Sequence, residues 1–242
     1  MKKYIVLLLG LLVCWLAFSY HKQQARALDE NLVADAYYGD LISVKNAVEQ
    51  GANLHYLLTF DDEDRQYVNQ TFGILHAAAS SGNEDLVIYL LEKGLDINAR
   101  TPQGWTPLFV AARDGRVDVA KQLVYRQADL NAQSRLGATA LMMVITQPYQ
   151  TKKARLDLLE YMLKRGADIY VQDKYGHNAL YYAITQRNVP VIRLLLKYTK
   201  PEEQENFAPL LDMLAAQQDP AAHEIETFLR EWKYVDPAAT EE

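Results

Sequence analysis

The residues best equipped for chemistry are few and scattered. Asp61, Asp62, Glu63 and Asp64 form the densest run of carboxylates, and an oxygen-rich loop can hold calcium. A calcium loop of the EF-hand kind needs oxygens at alternate residues, a central Gly and a closing Glu. This run lacks that pattern and reads as a solvated acidic loop. His55, His76, His177 and His223 offer no pair at ligand-like local spacing. Cys14 is the one cysteine, and it lies inside an apolar run. A lipidated cysteine wants a small residue before it, whereas Val13 precedes Cys14, and Trp15, Leu16 and Phe18 carry the run on. The sequence holds no nucleophile motif, no Gly-rich phosphate loop and no paired carboxylates in a catalytic context. The expectation is a chain that is not an enzyme and uses no cofactor or metal. A triad assembled from distant residues would leave no such local motif.

Whatever these side chains do, elements of an ordinary globular chain must position them. Of 242 residues, half are apolar and 23% are charged, which is not the composition of disorder. The formal charge of −6 argues against nucleic acid or an anionic membrane as the main partner, because both want clustered Lys and Arg. A neutral or basic protein partner fits it better. Residues 1–19 read as an export signal: Lys2-Lys3 is the positive start, Ile5 to Phe18 is apolar, and Ala17-Phe18-Ser19 offers small residues at the cleavage positions. The run is shorter than the roughly 20 residues that span a bilayer, which favours a cleaved signal over a retained anchor. Retention as an anchor is the one route by which the mature domain would touch a membrane. The style of the segment is bacterial, so the expected compartment is the periplasm. With the segment removed at Ser19 no cysteine remains, and stability must come from packing alone.

Self-comparison reveals an internal repeat. Gly73-Ile74-Leu75-His76-Ala77-Ala78-Ala79 recurs 33 residues on as Thr106-Pro107-Leu108-Phe109-Val110-Ala111-Ala112, then 33 further as Thr139-Ala140-Leu141-Met142-Met143-Val144-Ile145. After 39 more comes Asn178-Ala179-Leu180-Tyr181-Tyr182-Ala183-Ile184. Each copy is followed by a second apolar stretch, such as Val117, Ala120 and Val124 with Val119 and Leu123 beside them. Gly51, Gly94 and Gly166 then stop the helices, and Gln103-Gly104, Leu136-Gly137 and Tyr175-Gly176 mark tight turns. Thr106 can N-cap a helix whose first position suits Pro107.

These motifs resemble the ankyrin repeat, over about residues 28–200. The resemblance implies an all-α solenoid of stacked helix-turn-helix units with short β-turn fingers, about five repeats followed by a C-terminal helical cap. The expected organisation is a signal at 1–19, a linker at 20–27, the array at 28–200, capping helices at 201–236 and a disordered tail at 237–242. Insertions break the period near 56–70 and near 147–153, and insertions in repeat proteins map to loops that are often binding elements. His76 occupies the family's signature His position, where a structural role is expected.

Ankyrin-like proteins bind through finger tips and the exposed face of the first helices. Carried onto this sequence, those positions are Asn69, Gln70, Phe72, Ser80 and Ser81; then Arg100, Gln103, Trp105, Arg113 and Asp114. They continue as Arg135, Leu136, Thr146 and Gln147, and as Lys174, Tyr175, His177, Thr185 and Gln186. Phe72, Trp105 and Tyr175 stand out as aromatics expected to face solvent, with Trp105 foremost. The implied function is a non-catalytic module binding one specific protein, as an immunity or inhibitor protein or as an accessory to a periplasmic enzyme or envelope stress defence. A host-directed effector and an enzyme built on the inserted loops are further alternatives.

Overall fold

The computed structural model describes residues 2–60, 70–147 and 151–199 together with Thr227; the side chains of 2–14, 59, 60 and 70 lie outside that description. The acidic run 61–64, Asn69, the expected capping helices 201–236 and the tail 237–242 fall outside it, apart from Thr227. Two compact units divide the chain, residues 1–103 and 104–242.

The first unit begins with one helix, α1 (Lys2–Tyr38), which ends beside the short α2 (Leu41–Glu49). The stretch 20–27, expected as a linker, is helical within α1. None of its residues is Gly or Pro, so nothing in it breaks a helix. Among the described residues no helix is long and apolar enough to cross a membrane. The C-terminal part of α1 supplies Leu32, Val33 and Ala36, each fully buried, and α2 adds Val44 and Ala47. α3 (Ile74–Ser81) and α4 (Glu84–Glu92) complete the unit. α3 packs on α1, and its run of buried Ala77, Ala78 and Ala79 lets the two backbones come close. Asn83 caps α4 through the Leu86 amide at 3.1 Å, and its side-chain amide donates to the Gly39 carbonyl at 2.8 Å.

The first insertion, expected as a loop, is a hairpin at both its bases. β1 (Leu57–Phe60) pairs antiparallel with β2 (Gln70–Gly73), in the register Leu57 to Gly73 and Leu58 to Phe72. In Leu-Leu-Thr-Phe the β-branched Thr59 and the aromatic Phe60 favour a strand, and the two Leu give it apolar surface. β2 then runs straight into α3, with Gly73 as its N-cap.

Among its described residues the second unit holds three helix pairs: α5 (Pro107–Arg113) with α6 (Val117–Tyr125), α7 (Ala140–Thr146) with α8 (Lys152–Lys164), and α9 (Ala179–Thr185) with α10 (Val189–Lys197). First helices stack as α5–α7–α9 and second helices as α6–α8–α10. The cap expected at Thr106 is present, and Thr139 and Asn178 repeat it. Thr106, Thr139 and Asn178 each accept a hydrogen bond from the amide three residues on, at 3.2, 3.4 and 3.0 Å, satisfying a donor that the helix itself cannot. The α6 stripe comprises Val119, Ala120, Leu123 and Val124. Val117 is only half-buried, because it opens the helix rather than facing its neighbours. The second insertion, expected as a loop through Lys153, instead lengthens a helix. Thr151 caps α8, so Lys152 and Lys153 are helical, and α8 has 13 residues where α6 and α10 have nine.

Candidate functional site

The second unit's fingers rest on one another through their backbones. The finger at 134–138 closes with the Ser134 amide donating to the Ala138 carbonyl at 2.9 Å, and the finger at 173–177 with Asp173 donating to His177 at 2.9 Å. The Lys174 amide then donates to the Leu136 carbonyl at 2.9 Å. Gln133 clamps the pair, its side-chain amide donating to the carbonyls of Gly137 and Gln172 at 3.0 and 2.9 Å. This closeness requires Gly137: its φ is +78°, and a Cβ there would lie 2.7 Å from the Asp173 Cα.

The finger at 173–177 is fixed from beneath. One Asp173 carboxylate oxygen accepts the amides of Tyr175 and His177 at 2.8 and 3.0 Å, and the other accepts the Tyr182 hydroxyl. Burial pushes the Asp173 carboxyl up, but the Tyr182 hydroxyl and the two amides outweigh it and hold it below its ordinary value. Tyr182 is pushed up to about 12, first by its own burial and then by the Asp173 carboxylate. At neutral pH this Tyr stays protonated and the Asp ionised. The pair therefore has no proton to trade and serves to hold the finger. His177 stacks flat on Tyr181 with ring centroids 3.7 Å apart, and its Nδ1 is 3.9 Å from the Asp173 carboxylate.

The tips of both fingers point into solvent. Leu136 is 53% exposed and Tyr175 is 67% exposed, and the Lys174 ammonium sits 4.8 Å from the centre of the Tyr175 ring. Arg135 and Lys174 are exposed as well. Gln186 is exposed, yet its side chain donates to the Thr146 carbonyl at 3.1 Å and ties one first helix to the next. Gln147 and Thr146 are half-buried. The Gln147 carbonyl accepts from Arg155 at 2.7 Å, and the Thr146 hydroxyl donates to Met142 at 3.0 Å. Thr185 is exposed.

Trp105 differs from its expected role. It is half-buried, stacked on Phe109 at 5.7 Å with the planes 9° apart, and covered by the Arg113 guanidinium at 4.8 Å. Arg113 in turn grips Asp114 with two bonds of 2.6 and 2.9 Å, and both side chains are more than four-fifths shielded from water. The positions 105, 109 and 113 recur every four residues along the start and length of α5, so the three side chains form a ladder on one helix face. A partner would meet this ladder as a finished surface.

In the first unit Phe72 is a clear correction. It is only 3% exposed, because β2 turns its side chain inward toward α3, where it lies 6.4 Å from the His76 ring. Ser80 is buried too, and Ser81 bonds the Ala78 carbonyl at 2.8 Å. Arg100 is exposed and Gln103 half-buried. His76 is buried with Nε2 3.0 Å from the Ala99 carbonyl, joining α3 to the turn at 96–99. Among the described residues no three His, Cys, Asp or Glu side chains come together as a metal site. Sequence reasoning passed over Tyr182 as a site residue; the only signal was its place beside Tyr181 in the repeated helix.

Two family models match the chain. Ankyrin repeats in three copies match residues 36–134, and ankyrin repeats in many copies match residues 149–196. Among curated proteins no match to the chain is found. The matched stretches cover α2 to α6 in full, α8 and α9, nearly all of α10 and the finger of 173–177. Ankyrin repeats are protein–protein interaction modules and typically non-catalytic. The chain belongs to the ankyrin-repeat family.

Proposed function

We propose that this chain is an exported, periplasmic module that binds one specific protein through its fingers and first-helix faces. The observation that carries the reading is the pair of tips in the second unit. Leu136 and Tyr175 are more than half exposed, while each finger is closed by its own backbone hydrogen bonds and joined to the other by the Lys174 amide on the Leu136 carbonyl. Large apolar side chains held out on rigid backbone bind with little ordering cost, which is the setting of an interface hot spot. Export is supported by Lys2-Lys3, the apolar run to Phe18 and the small residues at 17 and 19.

Two roles suit such a module: neutralising a toxin or effector as an immunity or inhibitor protein, and supporting a periplasmic enzyme or envelope stress defence. Immunity agrees with a compact rigid binder, and the accessory role agrees with the same features. A photo-crosslinker placed at position 175 in living cells tests the binding. One protein captured repeatedly, and lost when Leu136 is changed to Ala, supports it; no specific capture refutes it. Growth inhibition on deletion that disappears when a neighbouring toxin-like gene is also removed selects immunity. Its persistence selects the accessory role.

A further inference from the structure

We infer that the fingertips of the second unit receive an acidic segment of the partner, one that sets Asp or Glu beside apolar side chains. This rests on protein binding as the function, and it reverses the partner charge that the net charge of −6 suggests. The reversal comes from where the charges sit.

Among the described residues of this unit, the exposed carboxylates Asp118, Asp129, Asp157 and Asp168 lie on the second helices or on the turns that follow them. The two fingers expose cations instead. Arg135 and Lys174 are both open to solvent, and neither forms an ion pair among the described residues. The fingers' own carboxylate, Asp173, is turned inward with its side chain 4% exposed and committed to two amides and the Tyr182 hydroxyl. It cannot neutralise Arg135 or Lys174 at the surface.

Screening then decides which field a partner feels. At physiological salt the field of a charge fades over about 8 Å, so the charges nearest a docking segment weigh most. A docking segment meets the local pair of cations. Each cation stands beside an exposed apolar neighbour, Arg135 by Leu136 and Lys174 by Tyr175. The Lys174 amide bond to the Leu136 carbonyl keeps these two pairs in adjacent positions. The surface thus repeats one motif twice, and its complement is a carboxylate next to an apolar side chain, also repeated. Two cations are too few for a nucleic-acid site, which neutralises many phosphates.

A random-peptide phage library selected on the immobilised full chain tests this. The recovered peptides should be enriched in Asp and Glu adjacent to Leu, Phe or Tyr. The best of them, made synthetically, should bind the R135E/K174E variant at least about tenfold more weakly. The milder R135Q/K174Q variant should show a smaller loss, with the melting of both variants unchanged. Selection of neutral or basic peptides, no enrichment, or acidic peptides that bind R135E/K174E normally overturns the inference. So does equal, charge-dependent binding of a single-stranded oligonucleotide or of phosphatidylglycerol vesicles, which would mark a general anion surface. Specific capture of a protein from position 175 alongside any of these failures leaves protein binding standing and removes only the acidic partner.

Discussion

Replacing Gly137 by Ala tests whether the fingers are held by close backbone approach. Two costs add. A non-Gly residue in the left-handed region, here at φ +78°, costs about 1–2 kcal/mol. The new methyl would also lie 2.7 Å from the Asp173 Cα and 2.9 Å from the Lys174 nitrogen. These are backbone atoms and cannot swing aside, so the fingers must part. Parting them weakens the Lys174-to-Leu136 hydrogen bond, worth about 0.5–1.5 kcal/mol. The expected total is a loss of about 1.5–3.5 kcal/mol, read from urea unfolding followed by circular dichroism. Gly176→Ala is the matched control: its φ is +79°, but nothing lies within 4 Å of the position of a Cβ. It should show the conformational cost alone, about 1–2 kcal/mol. Equal losses for the two variants would refute the claim that finger contact, rather than backbone conformation, makes residue 137 a Gly.

Tyr175→Ala should weaken partner binding about tenfold while leaving the melting temperature nearly unchanged, since the side chain is 67% exposed. Phe72→Ala should do the reverse and cost about 3–5 kcal/mol of stability in a denaturant titration, as buried Phe truncations do. Trp105→Ala should lower stability by about 1 kcal/mol or more, through loss of its stacking on Phe109 and of the Arg113 cover; an unchanged melt would show the ladder to be idle. For pH, the Tyr182 hydroxyl is raised in the fold, so its contribution is complete below its ordinary value of 10.0 and is lost as pH rises through about 12. The Asp173 carboxyl is lowered, so its contribution holds above the ordinary carboxylate range and fades as pH falls through its folded value. Urea midpoints of the wild type should therefore drop between pH 10.0 and about 12 more than those of Tyr182→Phe; parallel curves would dismiss the pair as a clasp.

The helix pairs, their caps and their stopping turns were legible because each is written locally. Thr106 before Pro107 announces a helix start, and Gly94 or Gly166 after an apolar stripe announces an end. Gln127 shows the strength of that template: it adopts the left-handed φ of +65° at the site where three other repeats place Gly51, Gly94 and Gly166. What stayed hidden depends on residues distant in sequence or on competition between neighbours. Phe72 reads as a finger residue by its repeat position, and only the pairing of Leu58 with it across the inserted hairpin turns it inward. Arg113 and Asp114 read as two contact residues, whereas their nearest available partner is each other. Trp105 reads as exposed until Phe109 and Arg113, at successive turns, close over it. Tyr175 and Leu136 stay more than half exposed, as their finger positions imply.

The commitment of Asp173 to its own finger separates two tasks that proteins often mix. The buried carboxylate, two amides and the Tyr182 hydroxyl maintain the shape of the tip without help from the side chains at 174 and 175. Those two positions can therefore be rewritten with little effect on folding, and a lineage could exchange one partner for another by drift at a few solvent-facing letters. A library varied at 135, 136, 174 and 175 alone should accordingly stay largely folded while its binding preferences scatter, making these fingers a ready surface for engineered recognition.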